Sequence, residues 1–146
     1  MQDKFEILLK ELGKAIGIPS LHPDKNQLCK LNVNGVLHVQ IEFDPRKERI
    51  LIATLICDLP PGKFREKALK TALRANGDPY RLGTLAYSER AGKLALFEYL
   101  PLVELNGEKC AKFLAKFLEK ADSWRLAIEQ GAPLPIPDVK KNRPLA

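Results

Sequence analysis

The chain has 146 residues, 45% of them hydrophobic and 29% charged, and a net charge of +6. That is one domain's worth of sequence, too apolar for intrinsic disorder, and no apolar run approaches the ~20 residues of a membrane helix. Three cysteines (Cys29, Cys57, Cys110) and two histidines (His22, His38) stand in no C-x-x-C or zinc-ligand spacing. A disulfide scaffold is thereby excluded, and reduced, buried thiols with no metal site are expected.

The charge is local. Residues 1–61 sum to zero, with eight bases against eight acids. Residues 62–76 set Lys63, Arg65, Lys67, Lys70 and Arg74 against Glu66 alone, and the tail beyond 131 accounts for the rest of the excess. The N-terminus, MQDKFEILLKELGK, mixes acids and bases without an apolar core, so it does not read as a secretory signal.

Phe5, Leu8, Leu9, Leu12 and Ile16 recur at helical intervals, and Gly17 and Pro19 end the helix they predict over 3–16. Residues 28–33 and 37–43 alternate apolar and polar as two strands, with Asn34-Gly35 signalling a hairpin between them. A two-residue loop would set Leu31 opposite His38. A three-residue loop with a Gly35 bulge is expected to pair Leu31 with Leu37 and Cys29 with Val39, which gives one continuous apolar face.

After the turn at 44–47, residues 49–58 predict a strand apolar on both faces: Ile50, Ile52 and Ile56 on one, Leu51, Ala53, Leu55 and Cys57 on the other. Such a strand must be covered twice, by its own chain or by a partner. Pro60-Pro61-Gly62 opens a second helix, its prolines in the first turn, that runs to about Ala75 with an apolar stripe of Phe64, Ala68, Leu69, Ala72 and Leu73. A second hairpin spans 83–88 and 93–100, and Pro101 confines its second strand to an edge or an end. Asn106 caps the last helix, whose apolar face runs from Cys110 to Ile128 and which Gly131 terminates. The tail 132–146 holds four prolines and should be extended or disordered. The fold expected is α+β, in the order α-β-β-β-α-β-β-α, with an antiparallel sheet packed by helices: a domain over 1–131 plus the tail.

No residue set marks an enzyme. There is no nucleophile elbow or phosphate loop; His38 lies on the polar side of its strand, and Glu42 and Asp44 flank a turn. Lys109, Lys112, Lys116 and Lys120 share one face of the last helix with acids that cancel them, which reads as solvated surface. The basic 62–76 helix and the tail leave a nucleic-acid-binding module as the alternative function, although only Phe97, Tyr99 and Tyr87 could stack on bases. What stands out is apolar surface beyond what three helices conceal, so a homodimer or a peptide-binding surface is expected.

The order of elements resembles the class I type III secretion chaperones, the family of CesT and SycE. The resemblance spans about residues 1–131 and rests on FEILLKELGKAIGI, the Pro-Pro-Gly entry to the second helix, GTLAYSE–turn–KLALFEYLP, and LNGEK leading a last helix with Trp124 near its end. It implies a cytoplasmic homodimer, without ATPase activity or cofactor, that holds the N-terminal region of a secreted effector in extended form for a type III secretion system. By the same resemblance Leu8, Leu12, Ile16, Leu31, Leu37, Val39 and Ile41 become cargo-binding candidates. Leu69, Leu73, Leu85 and Tyr87 become dimer candidates. The family is typically acidic and this chain is not, so an acidic sister chaperone in a heterodimer is the alternative partner.

Overall fold

The computed structural model describes residues 3–33 and 35–135. Helix α1 spans Lys4–Ile16. The Asp3 carboxylate accepts the Glu6 amide at 2.7 Å, satisfying one of the donors a helix leaves open at its start. Gly17, at φ +74°, closes the other end in the left-handed conformation that favours glycine. Strands β1 (Leu28–Val33), β2 (Leu37–Asp44) and β3 (Arg49–Asp58) follow, then helix α2 (Lys63–Asn76), strands β4 (Thr84–Ser88) and β5 (Lys93–Pro101), and helix α3 (Gly107–Gln130). This is the order the sequence predicts. The strands form one antiparallel sheet, β1-β2-β3-β5-β4. Pro101 stands at the end of β5, and it has to, because β5 is an interior strand whose ladder needs its amides.

Three local expectations change. The first hairpin pairs Leu31 with Val39 and Cys29 with Ile41, not Leu31 with Leu37 and Cys29 with Val39. Three loop residues after Val33 bring Val33 opposite Leu37, and the Val36 amide closes the turn on the Val33 carbonyl at 3.1 Å. The difference is two positions, which leaves every side chain on its expected face, so the continuous apolar face does form. Asn34 lies outside the described residues. Second, a bulge between Leu55 and Cys57 brings Cys57 opposite the fully buried Leu94, so Cys57 leaves the face of Leu51, Ala53 and Leu55 and joins the core. Third, α2 starts at Lys63. Pro60 and Pro61 therefore precede the helix, and Gly62 at φ +139° makes the bend into it.

The core lies between one sheet face and the helices. Cys29, Leu31, Leu37, Val39, Ile41, Ile50 and Ile52 point into it from the sheet, and Phe5, Leu8, Leu9, Leu12, Leu114, Phe117 and Trp124 meet them from α1 and α3. Phe5 stacks on Phe43 with ring centroids 5.5 Å apart. Helices α1 and α3 pack against each other and cross at Gly107, where a Cβ would run into the backbone and Cβ of Glu11. Such an approach is open only to a residue without a side chain. The Glu11 carboxylate also accepts the Gly107 amide at 3.1 Å, filling a free donor and placing a negative charge at the positive end of α3.

Helix α2 lies along β4, an edge strand. Asn76 acts as a surrogate neighbouring strand there: its side-chain nitrogen donates to the Leu85 carbonyl at 2.8 Å and its oxygen accepts the Leu85 amide at 2.9 Å. Of the Pro-rich tail, residues 132–135 are described, with Leu134 packed against the core; residues 136–146, including the tail's bases, lie outside the described residues.

Candidate functional site

The second face of the sheet divides into two halves. Lys30 and Asn32 of β1 and His38, Gln40 and Glu42 of β2 are exposed there, an ordinary solvated surface. The β3-β5-β4 half is apolar. Cross-strand pairs Leu51–Tyr99, Ala53–Phe97 and Leu55–Ala95 line it, and Ala86 extends it onto β4. Leu55 is 45% and Tyr99 38% exposed, while Leu51, Ala53, Ala95 and Phe97 are half-buried with no helix over them. This is the uncovered side of the doubly apolar strand. One end is stiffened by Arg49, whose guanidinium lies 3.6 Å from the Tyr99 ring centroid and donates to the Asp44 carboxylate at 2.9 Å. Arg49 holds the Asp44 carboxyl below the usual carboxylate range.

Helix α2 lies along the β4 edge. Arg65, Leu69, Leu73 and Asn76 form one row at intervals of four, four and three. The ends of the row touch β4: Arg65 sits 4.9 Å from the Tyr87 ring centroid, and Asn76 bonds to Leu85. Between these contacts Leu73 is 71% exposed and Leu69 is half-buried. Lys63, Lys67, Lys70 and Arg74 form a separate row, and Lys70 pairs with Glu66 at 3.4 Å. Four of the five bases of α2 thus lie off the row of Leu69 and Leu73, and Arg65 stands at the start of it.

A groove of about 640 Å³ opens beside α1. Ile7, Lys10, Glu11 and Lys14 of α1 line one side, and Ile18, Pro19 and Ser20 line the other. Gly13 lets the two sides close on each other: a Cβ there would stand 2.5 Å from the Ile18 carbonyl oxygen. Ile7 is 41% exposed at the groove mouth.

The residues singled out in the sequence fall on both sides of these surfaces. Leu8, Leu12, Leu31, Leu37, Val39 and Ile41 are buried in the core and Ile16 is half-buried. The cargo candidates are therefore the inner lining of the elements assigned to cargo, closed off by α1 and α3, whereas Ile7 and Ile18 line the open groove. Periodicity identifies the apolar stripe of an amphipathic helix, which is the stripe its own core takes first. Among the dimer candidates, Leu73 is exposed and Leu69 half-buried on α2, whereas Leu85 is buried and Tyr87 is half-buried on the helix-covered side beneath Arg65.

Tyr87 pairs with core residue Leu94, whereas Phe97 pairs with Thr84 on the open side. The three aromatics therefore do not form one stacking platform, and the sheet lacks the arrangement a strand-type nucleic-acid reader uses. Lys120 is not simple solvated surface: it is half-buried and donates to the Leu82 carbonyl at 2.8 Å, and burial together with nearby Arg81 lowers its pKa. Glu98 escaped the sequence reading. It occupies the core-facing phase of β5 and accepts the Gly83 amide at 2.8 Å; an acid among Leu94, Leu96 and Leu100 was the available signal. Burial pushes the Cys57 and Cys110 thiols up to about 11, so they stay protonated and unreactive at neutral pH.

Residues 7–125 match the family model of the Tir chaperone protein (CesT) family. The chain belongs to the Tir chaperone protein (CesT) family. It is a class I type III secretion chaperone, and the family is one of chaperones rather than enzymes. Its fold is shared with chains of solved chaperone complexes. One is from the HopA1–SchA chaperone–effector complex, 19% identical over 84% of this chain and 93% of that one, with a TM-score of 0.70. Another is from the ExsC–ExsE complex, 24% identical over 84% and 91%, with a TM-score of 0.66. A third is from the ExoT–SpcS complex of Pseudomonas aeruginosa, 18% identical over 84% and 97%, with a TM-score of 0.62. No curated protein matches the chain in sequence. Among the described residues no helix is long and apolar enough to cross a membrane.

Proposed function

We propose that this CesT-family chaperone works as a cytoplasmic, ATP-independent homodimer that binds the N-terminal segment of a secreted effector in extended form and delivers it to a type III secretion system. The observation that carries the reading is the open β3-β5-β4 face, an apolar surface that the chain's own helices leave bare, together with the exposed Leu73 of α2. A second copy of the chain is the occupant that family membership favours, with Leu55, Phe97, Tyr99 and Leu73 at its centre. The layout of α2 supports self-association despite the basic helix, because Lys63, Lys67 and Arg74 lie apart from Leu69 and Leu73, and Arg65 in their row is taken up by the Tyr87 ring of its own chain. An acidic sister subunit is then not required to offset them.

The α1 groove is the docking site proposed for cargo. Leu8, Leu12, Leu31, Leu37, Val39 and Ile41 support it from beneath rather than touch cargo. A flexible effector segment loses conformational freedom on docking, at a cost of about 2–5 kcal/mol for such coupled ordering. A groove already walled by α1 and the 17–20 turn adds little to that cost.

Light scattering tests the assembly: the full chain should have twice its sequence mass. Leu55→Asp and Phe97→Asp should each yield folded monomer, since a carboxylate would have to be buried unpaired between subunits. A monomeric wild-type chain would end the homodimer reading. Co-expression tests the cargo role. N-terminal effector fragments of roughly 50–100 residues, insoluble and disordered alone, should become soluble with the wild-type chain; fragments that remain insoluble would refute it.

A further inference from the structure

The α1 groove is lined by two lysines and a single acid, a net positive charge. Lys10 and Lys14 stand one helical turn apart along it. Among the described residues neither takes part in an ion pair, although Glu6 is one turn from Lys10. Glu11 also lines the groove, but its carboxylate is engaged: it accepts the Gly107 amide at the start of α3, where the helix dipole favours it. The groove therefore presents an apolar mouth at Ile7 and Ile18 beneath two ammonium groups.

We infer that the α1 groove selects a polypeptide segment in which a large apolar side chain is flanked by carboxylates: an acidic anchor motif rather than a merely hydrophobic one. The inference rests on the reading of this groove as the cargo site and adds the chemical class of what docks there. The apolar side chain docks against Ile7 and Ile18, and removal of this apolar area from water supplies most of the affinity. The carboxylates meet Lys10 and Lys14 at the solvent boundary. Charges so placed contribute modestly to affinity and strongly to the choice between partners and to the rate of encounter. A segment flanked by lysine or arginine would place like charges together, and that rejects it.

The test uses the full chain and fluorescein-labelled peptides that share one leucine anchor and differ only in its flanks: glutamate, serine or lysine. Fluorescence anisotropy at low salt should show the glutamate peptide binding about fivefold to tenfold more tightly than the serine peptide, the range expected of two exposed ion pairs. The lysine peptide should bind most weakly, and the spread should shrink at high salt. Lys10→Gln with Lys14→Gln should erase the preference; Lys10→Glu with Lys14→Glu should reverse it. Unchanged far-UV circular dichroism would confirm that these exposed substitutions leave the fold alone. Equal binding of all the peptides, still abolished by Ile7→Ser, would overturn the charge selection while leaving the groove as the docking site. If none of the peptides binds, and Ile7→Ser leaves capture of effector fragments unchanged, the groove reading fails and the charge selection fails with it.

Discussion

Gly107→Ala tests whether the crossing of α1 and α3 depends on a residue without a side chain. The added Cβ would overlap the Cβ and backbone of Glu11, so no rotamer change can relieve the clash and the two helices must move apart. Overpacking in a well-packed region costs about 1–3 kcal/mol. Separation also lengthens the 3.1 Å bond from the Gly107 amide to Glu11, and hydrogen bonds to charged groups are worth about 1.5–3 kcal/mol. Together the loss should be roughly 3–5 kcal/mol, which for a chain of this size lowers the midpoint of thermal unfolding by about 10 °C. Gly131→Ala is the control. At φ +68° with nothing within 4 Å of a Cβ, it should lose only the ~1–2 kcal/mol of a left-handed alanine. Urea denaturation of both variants measures the difference. If Gly107→Ala costs no more than Gly131→Ala, the contact does not govern the crossing. Because the crossing sets where α1 sits, Gly107→Ala should also weaken effector capture; Gly131→Ala should not.

Asn76→Ala removes both side-chain bonds that close the β4 edge at Leu85. It should cost about 1–3 kcal/mol by denaturant titration and promote assembly beyond the dimer, seen by light scattering, as an exposed strand edge invites pairing. Asp44 should titrate by NMR below the ordinary carboxylate range because Arg49 favours its charged form. The stability this lends is present above the unfolded-state pKa and disappears as pH falls through the folded-state value, and Asp44→Asn should abolish that dependence. Thiol titration with a disulfide reagent at pH 8 should find Cys57 and Cys110 unreactive until the chain is unfolded, since burial holds both near 11; rapid reaction in the folded state would contradict their burial.

The elements were legible in the sequence because local rules fix them. Asp3 and Asn106 cap helices through their own side chains, Gly17 and Gly131 close them at positive φ, and period-two alternation marks β1 and β2. What could not be read is which apolar surface the fold spends on itself. Leu8 and Leu12 on α1, and Val39 and Ile41 on β2, carry the strongest periodic signal and are consumed by the core. The surfaces left for partners are made of residues that break the pattern: Ile7, out of phase with its helix's stripe, and Leu51, Ala53 and Leu55, on the wrong side of a strand already apolar on the right one. Patterning reports that a residue will be buried; it does not distinguish burial by the same chain from burial by another. The distinction depends on long-range placement. Here the decisive placement is that of α2, which lies along the β4 edge and leaves the β3-β5-β4 face bare. Two side-chain bonds from Asn76 fix it there, and no local propensity encodes them. For a chaperone of this family, the informative residues are the apolar ones whose phase disagrees with their own core.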